Sequence, residues 1–306
     1  MGGFLDKPIT TKKVESGQNE KLRFTTCEMQ GWRRFMEDTK LTHLSLEGYE
    51  HLSLFGVFDG HGGDEVAKYV EKHFVQEFLK RGSLKEKDIG KALKETFIQM
   101  DLLLKTNAAI EEQLKYKQEA NDDPKIKKEQ LQAGCTAIVV VISPEKIYVA
   151  NAGDSRAVLM RNGKVEALSE DHKPSLESER DRIIKAGATI VEGRVNGNLN
   201  LTRSLGDFSQ KNVPKVPFHL QPIICLPEVR ELERTGKEEF IIMGCDGIWE
   251  RYEDNSEPFA IMLKTQLATT DAKTVLENFF DDNLSKGGMN PQGRDNMTAV
   301  LVEFIN

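Results

Sequence analysis

The ten residues RAVLMRNGKV, at positions 156–165, indicate two short β-strands joined by a tight turn. The pair Asn162-Gly163 separates two apolar runs, and a two-residue type I′ turn needs positive φ at both positions, which Asn and Gly adopt most readily. Strands connected in this way are antiparallel neighbours. Similar runs rich in Val, Ile, Thr and Phe, bounded by Gly, Asn, Asp or Pro, predict further strands at residues 23–27, 52–58, 136–142, 146–150, 240–243 and 297–304.

Amphipathic helices are predicted between these strands. Apolar residues repeat at helical spacing in two adjacent segments, and they are Val66, Tyr69, Val70, Phe74 and Phe78 in the first and Ile89, Leu93, Phe97, Met100 and Leu104 in the second. These two helices are expected to pack antiparallel. Shorter helices are predicted at residues 176–185, ending at Gly187, and at residues 272–284. Helices and strands occur in blocks, which favours an α+β fold.

The composition limits the class of protein. With 306 residues, 39% of them hydrophobic, the chain has enough apolar material for a large core. No run reaches the ~18 apolar residues of a membrane span, and the N-terminus lacks a secretory signal, so we expect a cytoplasmic protein, with the nucleus as the other open compartment. The net charge of -7 disfavours nucleic acid as a partner. The four cysteines form no CxxC pair, and we expect buried free thiols.

Two segments are poor in apolar residues. Residues 1–20 are interpreted as a peripheral N-terminal segment in front of a single domain at residues 21–306, and we expect a monomer. Met1-Gly2 begins a myristoylation signal, but Asp6 stands where Ser or Thr is usual, so acylation is disfavoured. Residues 105–132 are dense in Lys, Glu, Gln and Asn, and we expect a solvated helix extension followed by a mobile loop rather than a binding arm.

Three apolar strands end at an Asp that is followed by Gly or Ser. They are FGVFDGHGG at residues 55–63, ANAGDSR at residues 150–156 and IMGCDGIW at residues 242–249. A strand held in a buried sheet fixes a carboxylate well enough to bind a hard cation, and the neighbouring Gly admits backbone and water. Each of these motifs, taken alone, is also a common turn.

Acidic residues stand beside two further segments. Glu37 and Asp38 follow GWRRFM at residues 31–36, and Asp295 precedes the last predicted strand. Oxygen ligands of this kind suit Mg²⁺ or Mn²⁺ and not zinc, which prefers His and Cys. The pattern predicts a hard-cation site if these separate blocks converge.

Seven motifs occur in an order that resembles the metal-dependent (PPM, type 2C) family of eukaryotic protein serine/threonine phosphatases. They are GWRRFMED, FGVFDGHGG, GCTAIVVVI, NAGDSRAVL, LTRSLGDF, GCDGIWE and GRDNMTAV, and they extend from about Arg23 to Phe304. The resemblance implies a central sandwich of two antiparallel β-sheets flanked by helices on both outer faces. It also implies phosphoprotein substrates, whose phosphoserine and phosphothreonine are hydrolysed by single-step attack of a hydroxide that bridges two metal ions.

The resemblance assigns ligands for two Mn²⁺ or Mg²⁺ ions. Asp59 would bridge both ions, Glu37 and the carbonyl of Gly60 would bind one of them, and Asp246 and Asp295 would hold the other. Two adjacent cations neutralise a phosphate and acidify a shared water. No nucleophile from the protein is then needed, in keeping with the absence of a Cys-x5-Arg loop.

Three further acids are assigned outside this pair of sites. By resemblance, Asp38 orients metal-bound water, and Asp154 joins Asp246 in holding a weak third ion. Many relatives carry an Asp four residues after the second-metal carboxylate, whereas this chain has Glu250. Its longer side chain predicts a weaker or differently coordinated third site. The alternative is that Glu250 faces solvent.

Two other roles are implied by the resemblance. Arg33 would grip the phosphate, because a planar guanidinium can contact two of its oxygens, and His61 would protonate the departing alkoxide. Residues 172–206 correspond to the flap beside the family's site. Within it, Arg194, Asn196 and Asn198 are candidates for contact with the phosphopeptide, although polarity in an exposed loop explains them equally well.

Two other functions fit parts of this pattern. A phosphatase fold that binds partners without turnover is one, but Asp59, Asp246 and Asp295 are all present. Another two-metal phosphohydrolase, such as a nuclease, is the other, and it is disfavoured by the net charge and by the lack of Lys/Arg clusters near the motifs. The sequence ends at Asn306, directly after the last predicted strand, so we expect no C-terminal helical extension.

Overall fold

Two antiparallel β-sheets packed face to face form the centre of the structure, a computed structural model that describes residues 3–252, 255–287 and 292–305. The strands in these residues are β1 (Phe4–Gln18), β2 (Leu22–Arg33), β3 (Thr39–His43), β4 (Ser53–Phe58), β5 (Gly60–His61), β6 (Gly134–Cys135), β7 (Ala137–Ile142), β8 (Lys146–Ala152), β9 (Arg156–Arg161), β10 (Lys164–Ala167), β11 (Ile190–Val191), β12 (Arg194–Val195), β13 (Leu205–Gly206), β14 (Glu228–Glu233), β15 (Glu238–Gly244) and β16 (Met297–Phe304). One sheet has the strand order β1-β2-β16-β15-β9-β10, and the other has β14-β8-β7-β4-β3.

Helices cover the outer faces of both sheets. They are α1 (Glu65–Leu79), α2 (Gly82–Lys85), α3 (Ile89–Leu103), α4 (Asn107–Asn121), α5 (Glu177–Lys185), α6 (Asp246–Trp249), α7 (Glu257–Leu267) and α8 (Ala272–Asn283). Helices α1 and α3 lie on the five-stranded sheet, while α7 and α8 lie on the six-stranded sheet. The layers are therefore α-β-β-α, as the family resemblance implies. None of the described helices is long and apolar enough to cross a membrane.

The alternation of side chains along β4 connects these layers. Phe55 and Val57 belong to the apolar cluster shared with the six-stranded sheet, and the ring of Phe55 lies 6.1 Å from that of Phe24 on β2. Leu54 and Phe58 belong to the cluster formed with α1 and α3. Because successive side chains of a strand point to opposite faces, this fully buried strand fastens the sandwich to one helical layer.

The hairpin predicted at residues 156–165 is present. Strands β9 and β10 pair antiparallel, and Asn162 and Gly163 have φ values of 52° and 74°, as a type I′ turn requires. The other predicted strands and the helices at residues 66–78, 89–104, 176–185 and 272–284 are also found within a few residues of their expected bounds, except that the strand predicted at residues 23–27 extends to Arg33. All four cysteines are buried and free.

The N-terminal segment is more ordered than the sequence indicates. Residues 4–18 form β1, an edge strand that pairs antiparallel with β2, and the sequence analysis predicts no strand there. One long side of an edge strand faces solvent, so β1 carries polar residues and tolerates Pro8. Met1 and Gly2, which carry the acylation signal, lie outside the described residues.

The charged segment 105–132 contains a helix with its own start. Thr106 caps α4, because its hydroxyl accepts a hydrogen bond from the amide of Ala109 at 3.3 Å. Helix α4 packs against α1, so it is a separate docked helix and not an extension of α3 into solvent. This corrects the interpretation of residues 105–121 from sequence.

Candidate metal centre

The strand order brings the acidic motifs to one rim of the sandwich. Strands β4 and β8 both pair antiparallel with β7, so their carboxyl ends lie at the same edge, and Asp59 and Asp154 follow those ends. Strand β3 begins opposite the end of β4, where Thr39 pairs with Phe58. The two residues that flank this pair, Asp38 and Asp59, are consequently neighbours.

The second sheet supplies its acids at the same rim. Strand β15 ends where β16 begins, and the amide of Cys245 donates to the carbonyl of Thr298 at 3.1 Å. Asp246 follows Cys245, and Asp295 lies two residues before β16. A methyl group added at Gly247 would lie 3.4 Å from Cβ of Asp295, so these two loops are in close contact.

Carboxylates from the two sheets meet at the centre of the rim. The candidate ligand atoms of Asp38, Asp59 and Cys245 lie within 4.8 Å of one another. The sulfur of Cys245, however, is turned toward the backbone: it accepts from the amide of Thr298 at 3.2 Å and donates to the carbonyl of Asn296 at 3.4 Å. Burial raises the pKa of this thiol well above its usual value, so the sulfur remains protonated and the acids supply the charge.

The acids at this rim destabilise one another. Burial, and then Asp38, Asp246, Asp295 and Asp154, raise the pKa of Asp59 well above its usual value. The pKa of Asp246 is raised in the same way, first by burial and then by Asp295. The ionised forms of Asp59 and Asp246 are therefore disfavoured at this rim, and added positive charge would favour them.

Two acids beside this pair are buried almost completely. Burial raises the pKa of Asp38 to about 7 and that of Asp154 to about 6. One oxygen of each, Oδ2, has no hydrogen-bond partner among the described residues, and Nζ of Lys173 stands 3.9 Å from Oδ2 of Asp154. Buried carboxylate oxygens without a donor are ready to bind a cation.

Backbone contacts fix the position of Asp59 and Gly60. The amide of Asp59 donates to Oγ1 of Thr136 at 3.1 Å, and its carbonyl accepts from the amide of Thr136 at 2.9 Å. A Cβ atom at Gly60 would come within 2.3 Å of the carbonyl oxygen of Glu37. Only glycine allows this approach, which places Glu37 beside the residue that follows Asp59. Burial is the main cause that raises the pKa of Glu37.

Arg33 stands at the open side of the rim. Its Nη2 donates to Oδ2 of Asp295, and its side chain is 39% exposed, so the guanidinium contacts the acids and solvent at once. The ring of Phe4, which pairs with Arg33 across β1 and β2, lies 5.9 Å from the guanidinium carbon. This position allows Arg33 to contact an anion at the acids.

Asn296 organises this part of the rim, and the sequence analysis does not identify it. Its Oδ1 accepts from the amide of Glu37 at 3.0 Å, while its Nδ2 donates to the carbonyls of Gln30 at 2.8 Å and Phe35 at 3.1 Å. Asn296 therefore ties the loop that carries Glu37 and Asp38 to the loop that carries Asp295. In the sequence, Asn296 is marked only by its position directly after Asp295 in the motif GRDNMTAV.

His61 has a carboxylate partner that the sequence analysis also misses. Its Nε2 lies 2.8 Å from Oδ2 of Asp207, which also accepts from Oγ of Ser204 at 2.6 Å. A Cβ atom at Gly134 would lie 2.1 Å from that carboxylate, so glycine in β6 makes room for it. Burial lowers the pKa of His61, but Asp207 outweighs this effect and the pKa is raised. Asp207 is the Asp of the motif LTRSLGDF, and this motif is its signal in the sequence.

Other candidates have partners of their own. Oε2 of Glu250 accepts from the amide of Gly293 at 2.5 Å, and Glu250 helps to raise the pKa of Asp246. In the flap, Nη1 of Arg194 donates to the carbonyl of Asn198 at 2.9 Å, and Oδ1 of Asn196 accepts from the amide of Thr189 at 3.1 Å. These bonds support the flap's own hairpin. The roles predicted for these residues in a third metal site or in peptide binding stay predictions.

Comparisons with known proteins agree on one family. The family model described as Protein phosphatase 2C matches residues 22–287. The chain is 42% identical to Protein phosphatase 2C 1 of Paramecium tetraurelia over 99% of both chains, and 35% identical to Probable protein phosphatase 2C 21 of Arabidopsis thaliana over 99% of this chain and 93% of that one. A solved phosphatase from Toxoplasma gondii has the same fold, with a TM-score of 0.74 and 23% identity over 96% of each chain.

Proposed function

The chain belongs to the protein phosphatase 2C family and is a protein serine/threonine phosphatase, and we propose that its carboxylate rim binds two divalent metal ions for the hydrolysis. The observation that carries the proposal is the convergence of acids from five sequence blocks on one rim, where burial first, and then the neighbouring acids, raise the pKa of Asp59 and Asp246 well above the usual value. Such a cluster is stable as carboxylates only with cations bound.

The donor set fits Mn²⁺ or Mg²⁺. The acids offer oxygen only, and Asp38 and Asp154 each keep a buried oxygen without a donor. In the proposed assignment Asp59, Glu37 and the carbonyl of Gly60 would hold one ion, and Asp59, Asp246 and Asp295 would hold the other. When bound, such ions supply positive charge for the phosphate and an acidified water as the nucleophile for a single-step displacement.

Arg33 binds the phosphate in this proposal. Its guanidinium is anchored on Asp295 through Nη2, so its plane is held at the acids without occupying all of its donors. A guanidinium can donate two parallel hydrogen bonds to phosphate oxygens. Arg33 thus orients the phosphate with respect to the carboxylate rim.

His61 donates a proton to the leaving oxygen. Because Nε2 faces Asp207, the ring nitrogen left for the substrate is Nδ1, for which the described residues provide no hydrogen-bond partner. Asp207 fixes the ring and favours the protonated form, as shown by the raised pKa of His61 and the lowered pKa of Asp207. An alkoxide of serine or threonine is a poor leaving group, so this proton matters for physiological substrates.

Activity assays test the metal-dependent mechanism directly. We expect hydrolysis of phosphoserine and phosphothreonine peptides, but not of phosphotyrosine peptides, to require Mn²⁺ or Mg²⁺ and to be abolished reversibly by EDTA. Asp246→Asn should lower kcat by about 10³-fold or more, because it removes one charge from the proposed ligands. Asp181→Asn, an exposed acid on α5, is the matched control and should retain full activity. Full activity of the wild type after chelation, or full activity of Asp246→Asn, would contradict the proposal.

A further inference from the structure

Helix α4 is fastened to α1 by a network of charged side chains. Glu112 of α4 accepts hydrogen bonds from Nζ of Lys72 at 2.6 Å and from the hydroxyl of Tyr116 at 2.7 Å, and it lies 2.9 Å from Nε2 of His73. Lys72 and His73 belong to α1, the helix that follows the loop carrying His61. Helix α4 is therefore held against α1, which begins directly after residues 61–64, here called the catalytic loop.

One turn further along α4, Lys117 reaches that loop. Its Nζ lies 2.8 Å from Oε1 of Glu65 and 3.2 Å from the carbonyl oxygen of Gly62. The side chain of Lys117 is 14% exposed and that of Glu65 is 1% exposed, so this contact is shielded from solvent. A shielded ion pair is held more firmly than one at the surface.

The loop that Lys117 contacts has little stiffness of its own. Gly62 and Gly63, which follow His61, have φ values of 72° and 138°, a conformation that is open to glycine and rarely to other residues. A Cβ atom at Gly63 would lie 2.0 Å from Oε2 of Glu65, so the glycine makes room for this carboxylate. Two successive glycines leave the backbone free to move unless an outside group holds it.

Glu65 makes the need for Lys117 stronger. Its carboxylate is buried in the first turn of α1, and its Oε2 has no hydrogen-bond partner among the described residues. Without Lys117, this carboxylate would be a buried and unpaired charge, which is unfavourable. A shift of the start of α1 and of Gly62-Gly63 would relieve this unfavourable charge, and His61 would move with them.

We propose that Lys117 is a positioning residue for His61, and that the charged segment 105–132 braces the catalytic loop through the contacts of Lys117 with Gly62 and Glu65. The inference rests on the proposed role of His61 as a proton donor. Lys117 touches neither the metal ligands nor the substrate in this assignment, and it acts by keeping Nδ1 of His61 aligned with the leaving oxygen.

Leaving-group dependence distinguishes positioning from general stability. In the full chain, Lys117→Met should lower kcat for a phosphoserine peptide at least tenfold and change kcat for p-nitrophenyl phosphate less than twofold, because nitrophenolate leaves without a proton. Lys117→Arg should restore most of the peptide activity. The matched control is Lys115→Met on the same helix, because the Lys115 side chain is 73% exposed and its ion-pair partner, Glu119, is 3.9 Å away. This variant should match the wild type on both substrates.

A double-mutant cycle with His61→Gln separates this inference from the function it rests on. If His61 is the acid, His61→Gln shows the same selective loss, and adding Lys117→Met causes no further loss. The positioning role would be overturned if Lys117→Met lost activity equally on both substrates or kept full activity. It would also be overturned if the losses were additive in the double variant. Absence of selectivity in His61→Gln alone would instead overturn the proposed function. If Lys117→Met does not fold, the double variant Lys117→Met/Glu65→Gln is used, because it also removes the unpaired charge of Glu65. This double variant should show the same selective loss of peptide activity.

Discussion

At the scale of single residues, the pair His61 and Asp207 carries the sharpest consequence of the structure. Asp207 is buried, adopts a φ of 50°, and accepts hydrogen bonds from Ser204 as well as facing His61. A histidine that is oriented and charged by a carboxylate is suited to proton transfer. In the proposed function, Asp207 would therefore act on the chemistry through His61 and not as a metal ligand.

This pair predicts a dependence on the leaving group. His61→Gln should lower kcat for a phosphoserine peptide by about 10²-fold and spare p-nitrophenyl phosphate. Asp207→Asn should also lower kcat for the peptide, because the loss of its charge lowers the pKa of His61. The loss of peptide activity with rising pH should therefore begin at a lower pH than in wild type. Kinetics of both substrates from pH 5.5 to pH 9 measure this.

Ser204→Ala is the matched control for Asp207→Asn. It removes one hydrogen bond to the carboxylate and keeps the charge, so its effect on peptide hydrolysis should be much smaller. If Asp207→Asn slows both substrates equally, or leaves the pH profile in place, Asp207 only supports the fold around Gly134.

At the scale of secondary-structure elements, the N-terminal strand β1 contacts Arg33, the proposed phosphate ligand. Its first residue, Phe4, pairs with Arg33 at the end of β2, and the ring lies beside the guanidinium group. Phe4 is 45% exposed, so its packing contributes little to the core. The ring also lies 5.2 Å from the guanidinium carbon of Arg294, so Phe4 contacts two cationic side chains, of which Arg33 is the proposed phosphate ligand.

Phe4→Ala should raise KM for phosphopeptide by about 2-fold to 5-fold, because an exposed cation–π contact contributes about 0.5–1 kcal/mol. The thermal midpoint should change little. Ile9→Ala is the matched control, since Ile9 is on the same strand, is 43% exposed, and pairs with Gly31 instead of Arg33. Steady-state kinetics that give the same KM for both variants would show that β1 does not influence Arg33.

The strands that the sequence analysis finds and misses differ in their surroundings. Strands β4, β7 and β9 are buried on both faces, and their unbroken apolar runs are visible in the sequence. Strands β1 and β14 lie at sheet edges, and β14 carries alternating charges, with Arg230 paired to Glu228. Edge strands have a polar sequence because they face water, so local hydrophobicity does not identify them.

At the scale of the whole molecule, the fold concentrates negative charge where it is least stable without cations. Asp59, Asp246, Asp38 and Asp154 all have raised pKa values, caused first by burial. The clustered acids thus lower the free energy of unfolding of the metal-free protein, and bound metal ions should raise it. Ligands that bind only the folded state stabilise it by mass action.

Thermal unfolding with Mn²⁺ and with EDTA measures the stabilisation by metal ions. At a hundredfold excess over Kd, Mn²⁺ should stabilise the wild type by about 2.7 kcal/mol, which corresponds to roughly 5 °C. In EDTA, Asp246→Asn should melt at or above the wild-type temperature, because it relieves repulsion in the rim, and Mn²⁺ should shift it much less. Asp181→Asn should behave as wild type. A lower melting temperature of Asp246→Asn in EDTA, with an unchanged Mn²⁺ shift, would contradict the assignment.

The sequence by itself determined the class of elements, the antiparallel hairpin, and the identity of the acids at strand ends. These properties depend on periodicity and turn chemistry within a few residues. Only the tertiary structure decided which groups meet, as for His61 and Asp207, 146 positions apart, or Lys117 and Gly62, 55 positions apart. Such contacts follow from strand order and helix docking, which bring distant residues together through packing energies that no local pattern contains.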